Sequence, residues 1–321
     1  MKHFRGRLAV ITGGGTGMGR ELARQLAAEG CHLALCDVSE EAMAHTRALC
    51  EADGPQGLRV STTLADVSDE SAVLAFRDAV ARDHATDHIH LLFNNAGIGG
   101  AGSFIEDERD KWEKTFGVCW EGVYFCSRAF LPMLMAAPEG HLINTSSVNG
   151  FWASLGPQSA HTSYSAAKFA VKGFTEALVN DFRLNAPHLK VSLVMPGHIG
   201  TSIIINSGKA LGFDPKEMSD DEVEVARERM ARLGFELDGV THDEIRQAIQ
   251  MRAESFRDDA PMSAAEAAKV ILDGVREERW RILVGEDAEM LDQMVRATPE
   301  EAYEISFMEE FLAKSGWQLG S

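Results

Sequence analysis

The sequence predicts an α/β protein built on a doubly wound parallel sheet of seven strands, with helices on both faces. Three observations lead there. Short apolar runs alternate with longer segments of helical period along most of the chain. Several runs are rich in Val, Ile or Leu, as strands buried on both faces are. A glycine-rich turn joins the first run to the first helical segment, as in βαβ units that bind dinucleotides.

The strands are expected at Leu8–Thr12, 33–37, 58–64, 89–94, 141–146, 191–195 and Arg281–Val284, each short and bounded by turn residues. Between them the helical period covers 17–29, 40–52, 70–82, 112–136, 163–185 and 264–277. Ser39 before Glu40 and Ser263 before Ala264 are placed to cap the helices they precede. Residues 1–285 are expected to form one nucleotide-binding and catalytic domain. Within it, 202–261 is too long for a bare loop and is expected to fold into helices that wall or cover a pocket. Its start is apolar (Ile203, Ile204, Ile205), and 220–233 is acidic and helical. The extension 286–321 carries Met290, Met294, Tyr303, Phe307, Met308, Phe311 and Trp317 at roughly helical spacing. It is expected to pack on its own domain or on a neighbouring subunit.

A chain of 321 residues, 45% hydrophobic and 25% charged, can bury a substantial core. No apolar run reaches the ~18 residues of a membrane span. The first residues enter a strand at once, with no signal-like segment, so the cytoplasm is the expected compartment. A net charge of −18 and the lack of a basic run disfavour nucleic acid as a partner. The five cysteines show no metal-ligand spacing and read as reduced thiols, and no metal site is expected.

Two segments carry chemistry. Glycines 13, 17 and 19 stand between the first strand and the first helix. Such a turn lets the backbone approach a pyrophosphate, and the helix N-terminus offers free N–H groups and a positive dipole end. Asp37 ends the next strand, where an acid accepts hydrogen bonds from adenosine ribose hydroxyls and repels a 2′-phosphate. Arg20 lies inside the helix, and Val38 and Ser39 follow the acid, so NAD rather than NADP is the expected cofactor. The second segment holds Tyr164 and Lys168, four apart and so one helical turn from each other. An ammonium beside a phenol favours the phenolate and lowers its pKa from about 10. That would make Tyr164 an acid or base near neutral pH.

With these motifs in order over residues 5–285, the chain resembles the short-chain dehydrogenase/reductase family, the single-domain branch with a TGxxxGxG loop and a YxxxK pair. The resemblance implies a Rossmann fold and a nicotinamide site. Gly13, Thr16, Gly17, Met18 and Gly19 would form the phosphate loop, with Asp37 on the ribose and Asp66-Val67 at the adenine. Asn95, Ala96 and Gly97 match the family's NNAG strand end. Pro196, Gly197, Ile199 and Thr201 match the PGxIxT turn that holds the nicotinamide. By the same resemblance, Tyr164 exchanges the proton, Lys168 holds the ribose and keeps Tyr164 acidic, and Ser147 stabilises the substrate oxygen.

There are departures. Tyr164 stands 17 positions after Ser147, more than the family's habit, through a loop at 151–162 where Phe151, Trp152 and His161 are candidates to line the pocket. Cys119 stands where many relatives carry a proton-relay Asn. His198 is expected to face the pocket. The implied activity is NAD-dependent interconversion of a largely apolar secondary alcohol and its ketone. The alternative is a catalytically weak NAD-binding regulatory or scaffold protein, for which cofactor binding without turnover would speak; an epimerase or dehydratase on the same sheet is a third reading. The family habit is a homodimer or homotetramer joined through the two long helices at 112–136 and 163–185.

Overall fold

Val10 and Ile11 sit fully buried in the middle of the first strand, β1 (Leu8–Thr12), because neighbours pair on both its edges and helices cover both its faces. The computed structural model describes residues 1–100, 102–156, 159–232 and 234–315. After β1 come α1 (Gly17–Ala28), β2 (His32–Asp37), α2 (Glu40–Asp53), β3 (Val60–Leu64), α3 (Glu70–His84) and β4 (Leu91–Asn94). The chain continues through α4 (Arg109–Phe116), a π-helical turn (Gly117–Glu121), α5 (Gly122–Ala136), β5 (Gly140–Thr145), a 3-10 turn (Val148–Gly150), α6 (Thr162–Asn185) and β6 (Leu189–Pro196).

A short parallel pair, β7 (Ile199–Gly200) and β8 (Met262–Ser263), brackets α7 (Ile203–Ala210), a 3-10 turn (Pro215–Glu217), α8 (Asp220–Arg232) and α9 (His242–Asp258). Then follow α10 (Ala264–Arg276), β9 (Arg281–Val284), α11 (Glu286–Ala297) and α12 (Ile305–Ser315). Seven strands form one parallel sheet in the order β3-β2-β1-β4-β5-β6-β9. The order reverses between β1 and β4, which opens a crevice at the carboxyl ends of the strands, where open α/β sheets bind ligands.

Each face of the sheet carries its own core. On one, Leu22 and Leu26 of α1 pack with Ile271 and Leu272 of α10 over Ile11 and Leu33. On the other, Phe76 of α3 and Phe130 of α5 meet edge to face, with ring centres 5.4 Å apart, over Val10 and Leu92. A polar network runs through this second core. Asn94 Nδ2 donates to Asn144 Oδ1 at 2.8 Å, and Asn144 Nδ2 donates to Thr175 Oγ1 at 3.0 Å. These buried hydrogen bonds tie β4, β5 and α6 together, with Asn94 Oδ1 left without a partner among the described residues.

The expected single helix over 112–136 is interrupted. The Gly122 N–H reaches the Gly117 carbonyl, one residue further back than an α-helix allows. Gly122 lies so close to β3's following loop that a Cβ there would stand 2.6 Å from Val67 Cγ2. One extra residue in a turn leaves the apolar period nearly intact, so the pattern did not reveal it. Several strands also start one or two residues away from the expected point; Leu58 donates to the Pro55 carbonyl in a turn before β3 begins.

The 202–261 segment is helical and carries a small core of its own, Met218, Val223 and Ile245. Ion pairs from Arg229 to Asp107 (3.3 Å) and Arg232 to Glu106 (2.7 Å) tie α8 to the turn before α4. Helix α12 packs Phe307, Met308 and Phe311 around Trp152. The Trp152 indole N–H donates to the Ala302 carbonyl at 2.6 Å. Trp317, Leu233 and Pro157 lie outside the described residues. Among those described, no helix is long and apolar enough to cross a membrane. All five cysteines are buried and unpaired.

Candidate active site

Two cavities meet along the carboxyl edge of the sheet. The first, about 810 Å³, runs from Gly13, Thr16 and Gly17 past Asp37, Asp66 and Val67 to Asn95, Ala96 and Gly97. The second, about 690 Å³, holds Ser147, Tyr164 and Lys168, with Pro196, Gly197 and Ile199 beside them. Met18, Asn95, Gly97 and Thr201 line both, so the two form one continuous crevice.

The glycine turn is shaped by contact. Gly13 has φ +64°, and a Cβ on it would stand 2.9 Å from Ala96 Cα. Gly19 lines neither cavity; a Cβ there would meet the Gly13 carbonyl oxygen at 2.1 Å, so it permits the close crossing of α1 under the loop. Thr12 Oγ1 accepts hydrogen bonds from the N–H groups of Asn95 and Ala96, both at 3.0 Å, and fastens β4's end to β1's. Thr16 begins α1 without bonding the first-turn N–H groups with its side chain. Gly17 and Met18 of that first turn line the cavity, where uncapped backbone donors suit an anion.

Asp37 Oδ2 accepts from Gly15 N–H (2.9 Å) and Oδ1 from Ser39 N–H (3.1 Å). Its carboxylate thus stands at the cavity wall beyond the phosphate loop. Arg20 turns its guanidinium onto the Gly15 carbonyl (2.7 Å) and Thr46 (3.1 Å). Asp66 is held by Lys114 at 2.5 Å and by Ser68. Burial alone would raise the Asp66 carboxyl, but Lys114 and Ser68 outweigh it and hold it below the usual carboxylate range. These features fit a dinucleotide: bare backbone and free N–H groups for a pyrophosphate, a carboxylate for a ribose, and a long cleft between them.

Ser147 follows β5 and caps the 3-10 turn, accepting from Asn149 N–H at 3.1 Å. Its hydroxyl also hydrogen-bonds with the Tyr164 phenol. Tyr164 and Lys168 project from one face of α6, and the Lys168 ammonium lies 5.3 Å from the centre of the Tyr164 ring. Lys168 is 2% exposed and donates to the Thr145 carbonyl at 2.9 Å. Its backbone carbonyl accepts from Ser146 Oγ at 2.8 Å, which locks α6 to the end of β5.

The expected lowering of the Tyr164 pKa does not hold in this pocket. Burial pushes the phenol well above its ordinary value, Cys119 adds to the rise, and Ser147 only partly offsets it. Burial also lowers the Lys168 ammonium from its ordinary value. His161 sits against Tyr164 with ring centres 4.7 Å apart, and burial lowers its pKa to about 4, so it is neutral near pH 7.

Other expected pocket residues are placed elsewhere. Trp152 is buried under the C-terminal helices, and Phe151 packs below the Arg281 guanidinium; neither lines the cavity. Ile203 and Ile204 do line it, and Ile205 does not. His198 borders the cavity but its Nε2 is bonded to the Phe256 carbonyl at 2.7 Å. Cys119 lies in the π turn and donates to the Ile98 carbonyl at 3.2 Å. Not anticipated were Asn206, which donates to Thr16 at 3.1 Å, and Ser207, which accepts from Gly99 N–H at 2.7 Å. Also missed was the stripe of α9 that walls the second cavity, although its spacing of three and four residues was readable.

The model of the short chain dehydrogenase family matches residues 7–211. A Mycobacterium tuberculosis protein named as an oxidoreductase, SadH, is 36% identical over 297 residues, 92% of this chain and 92% of its own. Levodione reductase of Leifsonia aquatica is 34% identical over 224 residues, 69% of this chain and 80% of its own. A Burkholderia phymatum short-chain dehydrogenase/reductase solved in complex with NAD superposes with a TM-score of 0.73 at 29% identity, covering 94% of this chain and 95% of that one. A metagenomic short-chain oxidoreductase, similar over 60% of this chain and 83% of its own with a TM-score of 0.54 and 29% identity, was solved with NADP. From its sheet, its crevice and these matches, the chain belongs to the short-chain dehydrogenase/reductase family of oxidoreductases.

Proposed function

We propose that the chain is an NAD-dependent dehydrogenase or ketoreductase that interconverts a secondary alcohol and its ketone. The observation that carries the reading is the convergence of Ser147, Tyr164 and Lys168 on one cavity continuous with the cleft of the glycine loop. When bound, a nicotinamide dinucleotide supplies or accepts the hydride. The chain's own part is to orient the substrate and manage a proton. Ser147 donates a hydrogen bond to the substrate oxygen and stabilises negative charge as it develops there. Tyr164 delivers a proton to that oxygen in ketone reduction and removes it in alcohol oxidation. Its raised pKa keeps the proton in place for reduction. Lys168, one turn away, favours the anion when the proton leaves and is positioned to hold the nicotinamide ribose.

Asp37 supports NAD over NADP, because a carboxylate at that wall accepts from ribose hydroxyls and repels a phosphate. The wall formed by Ile203, Ile204, Met230, Phe235 and Ile249 supports a largely apolar substrate. Helices α7 to α9 then act as a lid over it, and 286–315 as an extension that braces the domain. A homo-oligomer joined through α5 and α6 accompanies this reading; Tyr124 and Phe169 on those helices are each 40% exposed. The test is steady-state turnover of an alcohol panel with NAD and with NADP. At least tenfold higher kcat/KM with NAD is expected, about 1.4 kcal/mol. Equal or better turnover with NADP would contradict the cofactor assignment.

A further inference from the structure

Helix α9 and its C-cap turn one stripe to the substrate cavity: Ala248, Ile249, Arg252, Ser255 and Phe256 on the helix and Asp259 at the cap, spaced three and four apart. Met230 and Phe235 line the same cavity from the end of α8 and the loop after it. Within this mostly apolar lining, one strong cation is out of place. The other arginines of the lid are all engaged. Arg227 pairs with Glu224, Arg229 with Asp107, Arg232 with Glu106, Arg246 with Asp220 and Arg257 with Asp258. Arg252 has no hydrogen-bond or ion-pair partner among the described residues, and it stands exposed at the rim of the cavity. In a chain of net charge −18, that isolation is informative. Asp259 shares the stripe, but seven residues on, about 10 Å along the helix.

We infer that the substrate is an amphipathic ketone or secondary alcohol whose apolar body ends in a carboxylate, and that Arg252 receives that carboxylate at the cavity rim. The inference rests on the dehydrogenase reading for what happens at the other end of the molecule. The apolar chain would lie along Ile249, Met230 and Phe235, with the reacting carbon at Ser147 and Tyr164. A guanidinium presents a planar fork that matches one carboxylate in two parallel hydrogen bonds. This anion site is separate from the phosphate loop, because Arg252 lines only the substrate cavity.

The experiment compares three methyl ketones of equal chain length, ending in methyl, carboxylate or ammonium, on the full-length wild type, Arg252→Gln and Arg252→Glu. In the wild type the carboxylate is expected to exceed the neutral ketone about tenfold in kcat/KM, the size of a charge-assisted hydrogen bond. Arg252→Gln removes most of that ratio, and Arg252→Glu turns the preference toward the ammonium. No preference in the wild type, or a preference that survives in Arg252→Gln, overturns the inference while leaving the dehydrogenase reading standing. If no ketone is reduced, the dehydrogenase reading is what fails, and calorimetric titration with a medium-chain alkanoate decides the anion site. Binding about tenfold weaker in Arg252→Gln supports it; equal affinity in the two proteins overturns it.

Discussion

At Tyr164 two effects oppose each other, and their balance was not legible in the sequence. The spacing to Lys168 predicts a lowered phenol, but burial is a property of the whole pocket. Burial wins, and the phenol is raised. A raised pKa means the protonated form dominates up to alkaline pH. Reduction, which needs that form, should therefore be flat in kcat/KM from mildly acidic to mildly alkaline pH, while alcohol oxidation should climb steadily with pH. A pH–rate profile in both directions checks this; an oxidation rate already level at neutral pH contradicts it. Two histidines away from the site contribute to acid sensitivity. Burial, then the nearby N-terminus, lowers His141 to about 3; burial, then Arg7, lowers His90 to about 4. His90 Nδ1 accepts the Leu8 N–H at 3.2 Å, a bond a proton would displace. Unfolded imidazoles titrate near 6.5, so between these values the unfolded chain binds more protons. Their contribution is complete above about pH 6.5 and is lost as pH falls toward the folded values. The urea midpoint should drop across that window, and His141→Gln should flatten the slope; an unchanged slope contradicts the account.

Among the elements, those governed by local pattern were readable and those governed by distant contact were not. The strands at 8–12 and 281–284, the caps Ser39 and Ser263, and the glycine turn follow from period and capping chemistry. The π turn at 117–121 and the position of Trp152 do not. Trp152 joins the segment after Ser147 to residues some 150 places away, an association no short window can reveal. This contact ties the C-terminal helices to the segment that follows Ser147. Phe307, Met308 and Phe311 surround Trp152, and Tyr303 Oη accepts the Ala153 N–H at 3.2 Å. Phe311 is fully buried, so Phe311→Ala should cost about 3–5 kcal/mol of stability. It should also lower kcat more than it weakens NAD binding, because Ser147 loses its brace while the phosphate loop does not. Thermal unfolding with paired kcat and nucleotide titrations measures both. Unchanged kcat at a lowered melting temperature would show that the tail serves stability alone.

The whole molecule sets one sheet edge to two tasks. In the proposed function, the cleft opened by the strand-order reversal between β1 and β4 would take the nucleotide, and the end of β5 with α6 would supply the reacting groups beside it. Asn94, Asn144 and Thr175 lock those strands and that helix together, so the proton-transferring group and the hydride-bearing cofactor would meet at a fixed separation. The Tyr-Lys pair and the glycine turn made this arrangement legible, since each is a local spacing with one use on such a sheet. The lid's contribution was not, because which residues of α9 face the cavity depends on how the helix docks. The most direct test of the central claim is Tyr164→Phe beside the wild type, with turnover and NAD affinity measured on the same preparations. Kcat should fall by about a thousandfold, the range of general acid–base catalysis, with NAD affinity within about twofold, since the ring that packs beside Lys168 and His161 is retained and only its hydroxyl is lost. A variant that keeps most of its activity would contradict the account.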